Sequence, residues 1–247
     1  MNKIFNLLND DNIIKASDCY NYNNRESLIY GVTGSQKSVL IAKGYNKYSK
    51  SMMIVTNNKE SLEQLQADLV SLLPDASIMQ LPSLDVVSFS TVAKSLELVA
   101  KRLDVLGRLV RNEKIIVLTT GEAVIQKNLS RHDFEQARIN LKIGLQIKLE
   151  DILGSLVKIG YSRVDEVEII GEFSVRGGII DVFPVNSTSP IRLELFGDEV
   201  DSLRTYNIDD KLSTDNISQI DILPLAQPED YEKMANCLSY LPTDSNI

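Results

Sequence analysis

The sequence predicts a mixed α/β protein: a doubly wound parallel sheet covered by helices, interrupted by an inserted α+β domain that contains an antiparallel sheet. Two observations carry this. Up to residue 120, short β-branched runs alternate with longer stretches of helical period, and beyond about residue 160 the apolar period becomes two, with glycine and proline between the runs. Charge agrees: residues 1–120 hold 14 Lys/Arg against 12 Asp/Glu, whereas residues 121–247 hold 12 against 22.

In the first half four strands and their helices are expected. SLIYGV (27–32) is an apolar run that enters a glycine-containing turn and then a helical stretch near 37–48. MMIVTNN (52–58) is a second strand ending in polar turn residues. Leu62, Leu65, Leu69 and Leu72 then recur at helical spacing until Pro74 stops them. SIMQLP (77–82) is a third strand, Val92, Leu96, Val99, Leu103 and Leu106 mark a long helix, and KIIVLTT (114–120) is the fourth strand.

The second half begins with a short helical stretch at 122–130 and a helix at about 150–159 that ends at Gly160. Val164, Val167 and Ile169, then Phe173 and Val175, then Ile179, Ile180 and Val182, then Ile191, Leu193 and Leu195 form successive runs. Gly171, Gly177-Gly178, Pro184 and Gly197-Asp198 separate them, as in an antiparallel meander. IRLEL alternates cleanly, so Arg192 and Glu194 are expected to look outward. From about 211 the chain is expected to leave this domain, with IDILPL (220–225) as one more apolar strand. The expected boundaries are 1–125 for the α/β domain, 126–210 for the α+β domain, and 211–247 for a return segment.

Composition excludes several classes. Cys19 and Cys237 are too few and too distant for a disulfide scaffold, and a single histidine, His132, rules out a His-rich metal site or a choice of catalytic triads. The N-terminal MNKIFNLLNDDNII has no uninterrupted apolar stretch, so neither signal peptide nor membrane span is read, and a cytoplasmic location is the default expectation. A net charge of −8 without any run of Lys/Arg argues against nonspecific nucleic-acid binding. Asp198-Glu199 and Asp165-Glu166 read as a solvated turn and strand edge, and Lys148 to Asp151 as a helix-start charge mixture.

One segment approaches a nucleotide site. Gly31-Val-Thr-Gly-Ser-Gln-Lys-Ser38, with Gly34 inside it, lies where a strand meets a helix, and Gly31, Lys37 and Ser38 sit in register with a phosphate loop. Gln36 stands where the glycine before the lysine belongs. Its side chain occupies a position where only hydrogen fits comfortably against phosphates, so the loop reads as a degenerate, P-loop/helicase-like relic without working ATP binding. The fourth strand also ends in Leu118-Thr119-Thr120 rather than in the carboxylates that would hold magnesium. No complete catalytic constellation is present, and no cofactor is expected for this chain.

Taken together, GVTGSQKS, NNKESLEQLQADL and above all GYSRVDEVEIIGEFSVRGGIIDVFP followed by PIRLELFGDEVDSLRTYN resemble the UvrB-like N-terminal region of transcription-repair coupling factors. The strongest part is 160–207. UvrB itself shares these signatures, but it is similar to GVTGSGKT at the loop and carries a tyrosine-rich hairpin where this chain has LPSLDVVSFSTVAKSL (81–96). The resemblance implies a UvrB-like fold and a module that recruits the excision-repair protein UvrA. It further implies a longer parent that meets RNA polymerase and DNA and uses ATP and magnesium in motor domains beyond residue 247. By the same resemblance Arg163 in GYSR and Arg176 in SVRG fall on positions that meet acidic groups of UvrA, the alternative being solvated strand-end arginines. Phe183 reads as core. The rival reading is a UvrB-type helicase fragment or a weak NTPase.

Overall fold

The protein is described by a computed structural model over residues 15–21, 26–84, 92–225, 234–242 and 245. The stretch MNKIFNLLNDDNII, residues 85–91 of the segment contrasted with the UvrB hairpin, and the tail at 228–233 lie outside the described residues. The chain divides into two compact units, Met1–Ser83 with Arg108–Gln126 and Cys237–Ile247, and Leu84–Gly107 with Lys127–Asn236. Among the described residues no helix is long and apolar enough to cross a membrane.

The first unit holds a three-stranded parallel sheet of β1 (Met52–Thr56), β2 (Ser77–Leu81) and β3 (Ile115–Thr120), in the order β1-β3-β2. Central β3 is an unbroken apolar run whose residues Ile115 to Leu118 are wholly buried, as a parallel strand covered on both sides requires. Helices α1 (Gln36–Tyr48) and α2 (Lys59–Leu72) belong to the same unit. Asn58 starts α2 by accepting the Ser61 backbone N–H on its side chain at 2.8 Å, and the helix ends before Pro74. Its Leu62 and Leu69 meet Ala42 of α1 and Ile116 and Leu118 of β3 in one core cluster. The run 27–32 departs from expectation: it forms no strand, and Leu28 and Tyr30 are nearly 90 % exposed. Among the described residues the segment has no ladder partner, so neither hydrogen bonds nor burial hold it as a strand.

The second unit is built on a six-stranded sheet in the order β11-β10-β9-β8-β7-β6. Its strands are β6 (Ser162–Arg163), β7 (Glu172–Arg176), β8 (Ile179–Val182), β9 (Ile191–Phe196), β10 (Glu199–Tyr206) and β11 (Ser213–Asn216). Every neighbouring pair is antiparallel except β6 with β7. Before the sheet come helix α3 (Val92–Val110), the five-residue helix α4 (Gly121–Ile125) of the first unit, β4 (Asn128–Leu129), α5 (Arg131–Ala137), β5 (Ile139–Lys142) and α6 (Leu149–Lys158). The run Val164, Val167, Ile169 is a loop rather than a strand. The Glu172 carboxylate accepts the backbone N–H groups of Glu168 and Ile169, at 2.8 and 3.0 Å, and bends the chain out of extended geometry.

The segment after 211 also differs from expectation. β11 pairs with β10, and β12 (Gln219–Ile222) pairs with β5, both inside the second unit, because Ile220 and Ile222 alternate onto the same core as Leu141. A short β13 (Met234–Ala235) pairs with β4 before the chain rejoins the first unit at Cys237.

One buried tyrosine ties this second core together. Tyr161 donates its hydroxyl to Leu223 O at 3.1 Å and accepts the Val185 N–H at 3.2 Å, and burial holds the phenol far above its usual range. Tyr161→Phe is therefore expected to strand a buried donor and a buried acceptor and to cost about 1–3 kcal/mol. Urea unfolding checks this, and an unchanged midpoint contradicts it.

Candidate protein-docking surface

Strand alternation gives the six-stranded sheet two unlike sides. Phe173, Val175, Ile180, Val182, Ile191, Leu193, Val200 and Leu203 point one way and pack with Ile152 and Leu156 of α6, Leu141 of β5 and Ile222 of β12. Register places Ser174 beside Asp181, Asp181 beside Arg192, Arg192 beside Arg204, and Arg176 beside Ile179. These residues, with Glu194, Phe196 and Ser202, point the other way.

Most charges on that second side are satisfied within the sheet. Arg192 grips Asp181 with two hydrogen bonds of 2.8 Å and lies over the Tyr206 ring, 4.8 Å from its centroid. Arg204 donates to Glu194, which also accepts from the Ser202 hydroxyl at 3.0 Å. Burial pushes the Tyr206 hydroxyl up to about 12, so it stays protonated at neutral pH. The loop 164–170 folds against this end: Arg176 donates to Asp165 O at 3.3 Å, Glu166 pairs with Lys211 at 2.9 Å, and Val167 is buried. The Lys211 ammonium, with a lesser contribution from Arg176, holds the Glu166 carboxyl below the ordinary carboxylate range.

The two arginines singled out in the sequence come to neighbouring strands, but neither to one face nor to the same end of β7. Arg163 stands on edge strand β6 in register with Phe173, and Arg176 closes β7 three residues after Phe173, which turns it to the opposite side. Both are exposed, and the Arg163 guanidinium has no ion-pair partner among the described residues. The Arg176 contact is a single long bond to a backbone carbonyl, so its charge remains available. Phe183 is buried, as read. Asp198-Glu199 is the turn and start of the β9–β10 hairpin, and His132 is an exposed residue in the first turn of α5.

The phosphate-loop segment takes a definite local geometry within the first unit. Gly31 and Gly34 have φ of +79° and +50°, Gln36 opens α1, and Lys37 is exposed. Gln36 Oε1 folds back to accept the Thr33 backbone N–H at 3.0 Å. Ser38 is buried and donates its hydroxyl to Asp68 of α2 at 2.6 Å.

Sequence reasoning missed two residues on the polar side of the sheet. Phe196 is 83 % exposed and Ile179 38 %, although Ile179 was grouped with the apolar core run. The available signal was adjacency: Ile179 and Ile180 are consecutive in a strand and must face opposite ways.

Comparison with known proteins places the strongest likeness on this same unit. The sequence profile of the UvrB interaction domain family matches residues 139–227. The chain is 36 % identical over 200 residues to the transcription-repair-coupling factor of Bacillus subtilis, covering 81 % of this chain and 17 % of that protein. It is 34 % identical over 222 residues to the factor of Staphylococcus epidermidis, covering 89 % and 19 %, and 33 % identical over 219 residues to that of Staphylococcus haemolyticus, covering 87 % and 18 %. The chain thus spans less than a fifth of the length of these relatives.

Proposed function

As a chain that carries a UvrB interaction domain and is homologous over most of its length to transcription-repair-coupling factors, this protein is, we propose, the N-terminal module of such a factor, and its work is to recruit UvrA. The observation that carries the reading is the placement of the family match. Residues 139–227 take in every strand of the six-stranded sheet, and two exposed arginines stand on its neighbouring strands β6 and β7. Arginine suits the task because its planar fork pairs carboxylates with two hydrogen bonds and is enriched among residues that dominate interface energies. Arg163 and Arg176 are the residues assigned to the acidic groups of UvrA.

In this reading the parent protein is an ATP-dependent DNA translocase that releases RNA polymerase stalled at a lesion, with ATP and magnesium held in its motor domains, and the module acts in the cytoplasm. The α/β unit is then a degenerate relative of a doubly wound P-loop domain that serves as a scaffold. One bond supports its lack of a nucleotide: the Thr33 N–H, which a phosphate would need, goes to Gln36. Titration of the purified chain with a fluorescent ATP analogue and magnesium is expected to give no saturable signal, with Lys37→Ala indistinguishable from the parent. Saturable binding lost on Lys37→Ala would favour a weak NTPase instead. Recruitment itself is tested by passing UvrA over the immobilised chain with and without ATP: retention in both conditions is expected, and flow-through in both refutes it.

A further inference from the structure

We infer that Ile179 and Phe196 form, with Arg176, the anchoring spot of the docking surface, and that the partner meets them with an apolar recess bordered by a carboxylate. The inference rests on the recruitment reading and adds to it the apolar half of the contact.

Register makes the three residues neighbours. Arg176 and Ile179 are directly opposed where β7 turns into β8 through Gly177, whose φ of +62° lets the tight turn form. Ile179 is opposed in turn to Glu194 on β9. Phe196 lies two residues further along β9 on the same side, hence diagonal to Ile179 at roughly 7–8 Å between backbones, within reach of an aromatic ring. All three project from the side of the sheet that does not carry the core. Phe196 immediately precedes the Gly197-Asp198 turn, so the patch sits at the rim formed by two adjacent hairpin turns.

The chemistry of the surroundings selects these residues. Further from the rim the charges are committed: Asp181 to Arg192, Glu194 to Arg204, Glu166 to Lys211. Such internally neutralised pairs offer a partner little electrostatic gain, whereas Arg176 makes no ion pair of its own: it has one hydrogen bond to a backbone carbonyl and only a minor attraction to Glu166, whose carboxylate is already taken by Lys211. An 83 % exposed phenylalanine and a 38 % exposed isoleucine beside that cation leave apolar area in water that only an external surface can cover. An aromatic ring, an aliphatic side chain and an arginine in one spot is the composition in which interface energy concentrates. Charge complementarity fixes the partner's half as acidic at the edge, and apolar where the ring enters.

The test is an equilibrium titration of UvrA against the full 247-residue chain and three variants. Phe196→Ser and Ile179→Thr probe the patch. Leu212→Ser removes another exposed apolar side chain, 66 % accessible, from the β10–β11 turn outside the patch. The expected result is at least a tenfold weakening for Phe196→Ser, a severalfold weakening for Ile179→Thr, and no change for Leu212→Ser, with urea midpoints unchanged throughout. Parental affinity in both patch variants overturns the anchor while leaving recruitment standing. Equal losses in all three variants overturn it as well, since the effect would then be general surface apolarity. Absence of UvrA binding by the parent chain overturns both the anchor and the recruitment reading.

Discussion

Arg176→Glu is expected to weaken UvrA binding about 100-fold, the roughly 3 kcal/mol that removal of a charge-paired interface arginine typically costs. Arg176 contributes little to the fold: its hydrogen bond is a 3.3 Å bond from an exposed guanidinium to a loop carbonyl, beside a minor attraction to Glu166. Reversal places a carboxylate where the partner is acidic, so repulsion adds to the lost pairing. Arg163→Glu acts from the other face of the sheet and is expected to have the smaller effect, because β6 is a two-residue edge strand set off from the apolar patch. Surface plasmon resonance on matched variants checks this, with far-UV circular dichroism confirming unchanged secondary structure. An Arg176→Glu chain that binds as tightly as its parent removes the residue from the interface.

Phe173→Ala is expected to cost about 3–5 kcal/mol of stability, the usual range for emptying a fully buried aromatic site. Phe173 is wholly buried, is paired with Val182 on β8 and stands in register with Arg163 on β6. Its ring belongs to the same core as Leu156 of α6 and Ile222 of β12, so the cavity would open under the strands that carry the docking residues. Urea denaturation measures the loss, and recruitment is expected to fail at temperatures where the second unit has unfolded. A midpoint shift equivalent to less than about 1 kcal/mol would contradict the assignment of Phe173 to the centre of the core.

Much of this architecture is legible from period alone. The stripe Leu62, Leu65, Leu69, Leu72 became α2, and the continuous run Ile115 to Leu118 became the buried central strand β3. IRLEL alternated in structure as in sequence, although Arg192 and Glu194 turned out to be paired rather than merely solvated. What period could not reveal is where hydrogen-bond partners exist. SLIYGV has the composition of a strand but no ladder to join among the described residues, and Val164 to Ile169 is diverted into a loop by the Glu172 carboxylate, a side-chain acceptor that no periodicity encodes. The destination of IDILPL was equally hidden, since strand character does not specify a partner, and β5 lies some eighty residues earlier in the chain.

Of the proposed site, Arg163 and Arg176 came from the resemblance of GYSR and SVRG, with their charge in an acidic domain only compatible with it, whereas nothing in the sequence singled out Phe196. Its exposure follows from its even spacing with Arg192 and Glu194, which fixes its side of the sheet once theirs is known. The sequence shows Gln36 where a phosphate loop has its glycine. The return of Gln36 Oε1 to Thr33, and of Ser38 to Asp68, required coordinates.

Calorimetric titration of UvrA into the chain, run in parallel with an Arg163→Glu/Arg176→Glu double variant, bears most directly on recruitment by this sheet. Saturable heat from the parent chain and none from an equally folded double variant is the predicted result. Identical isotherms from the two would contradict it, because the binding energy would then come from a surface that does not involve these arginines.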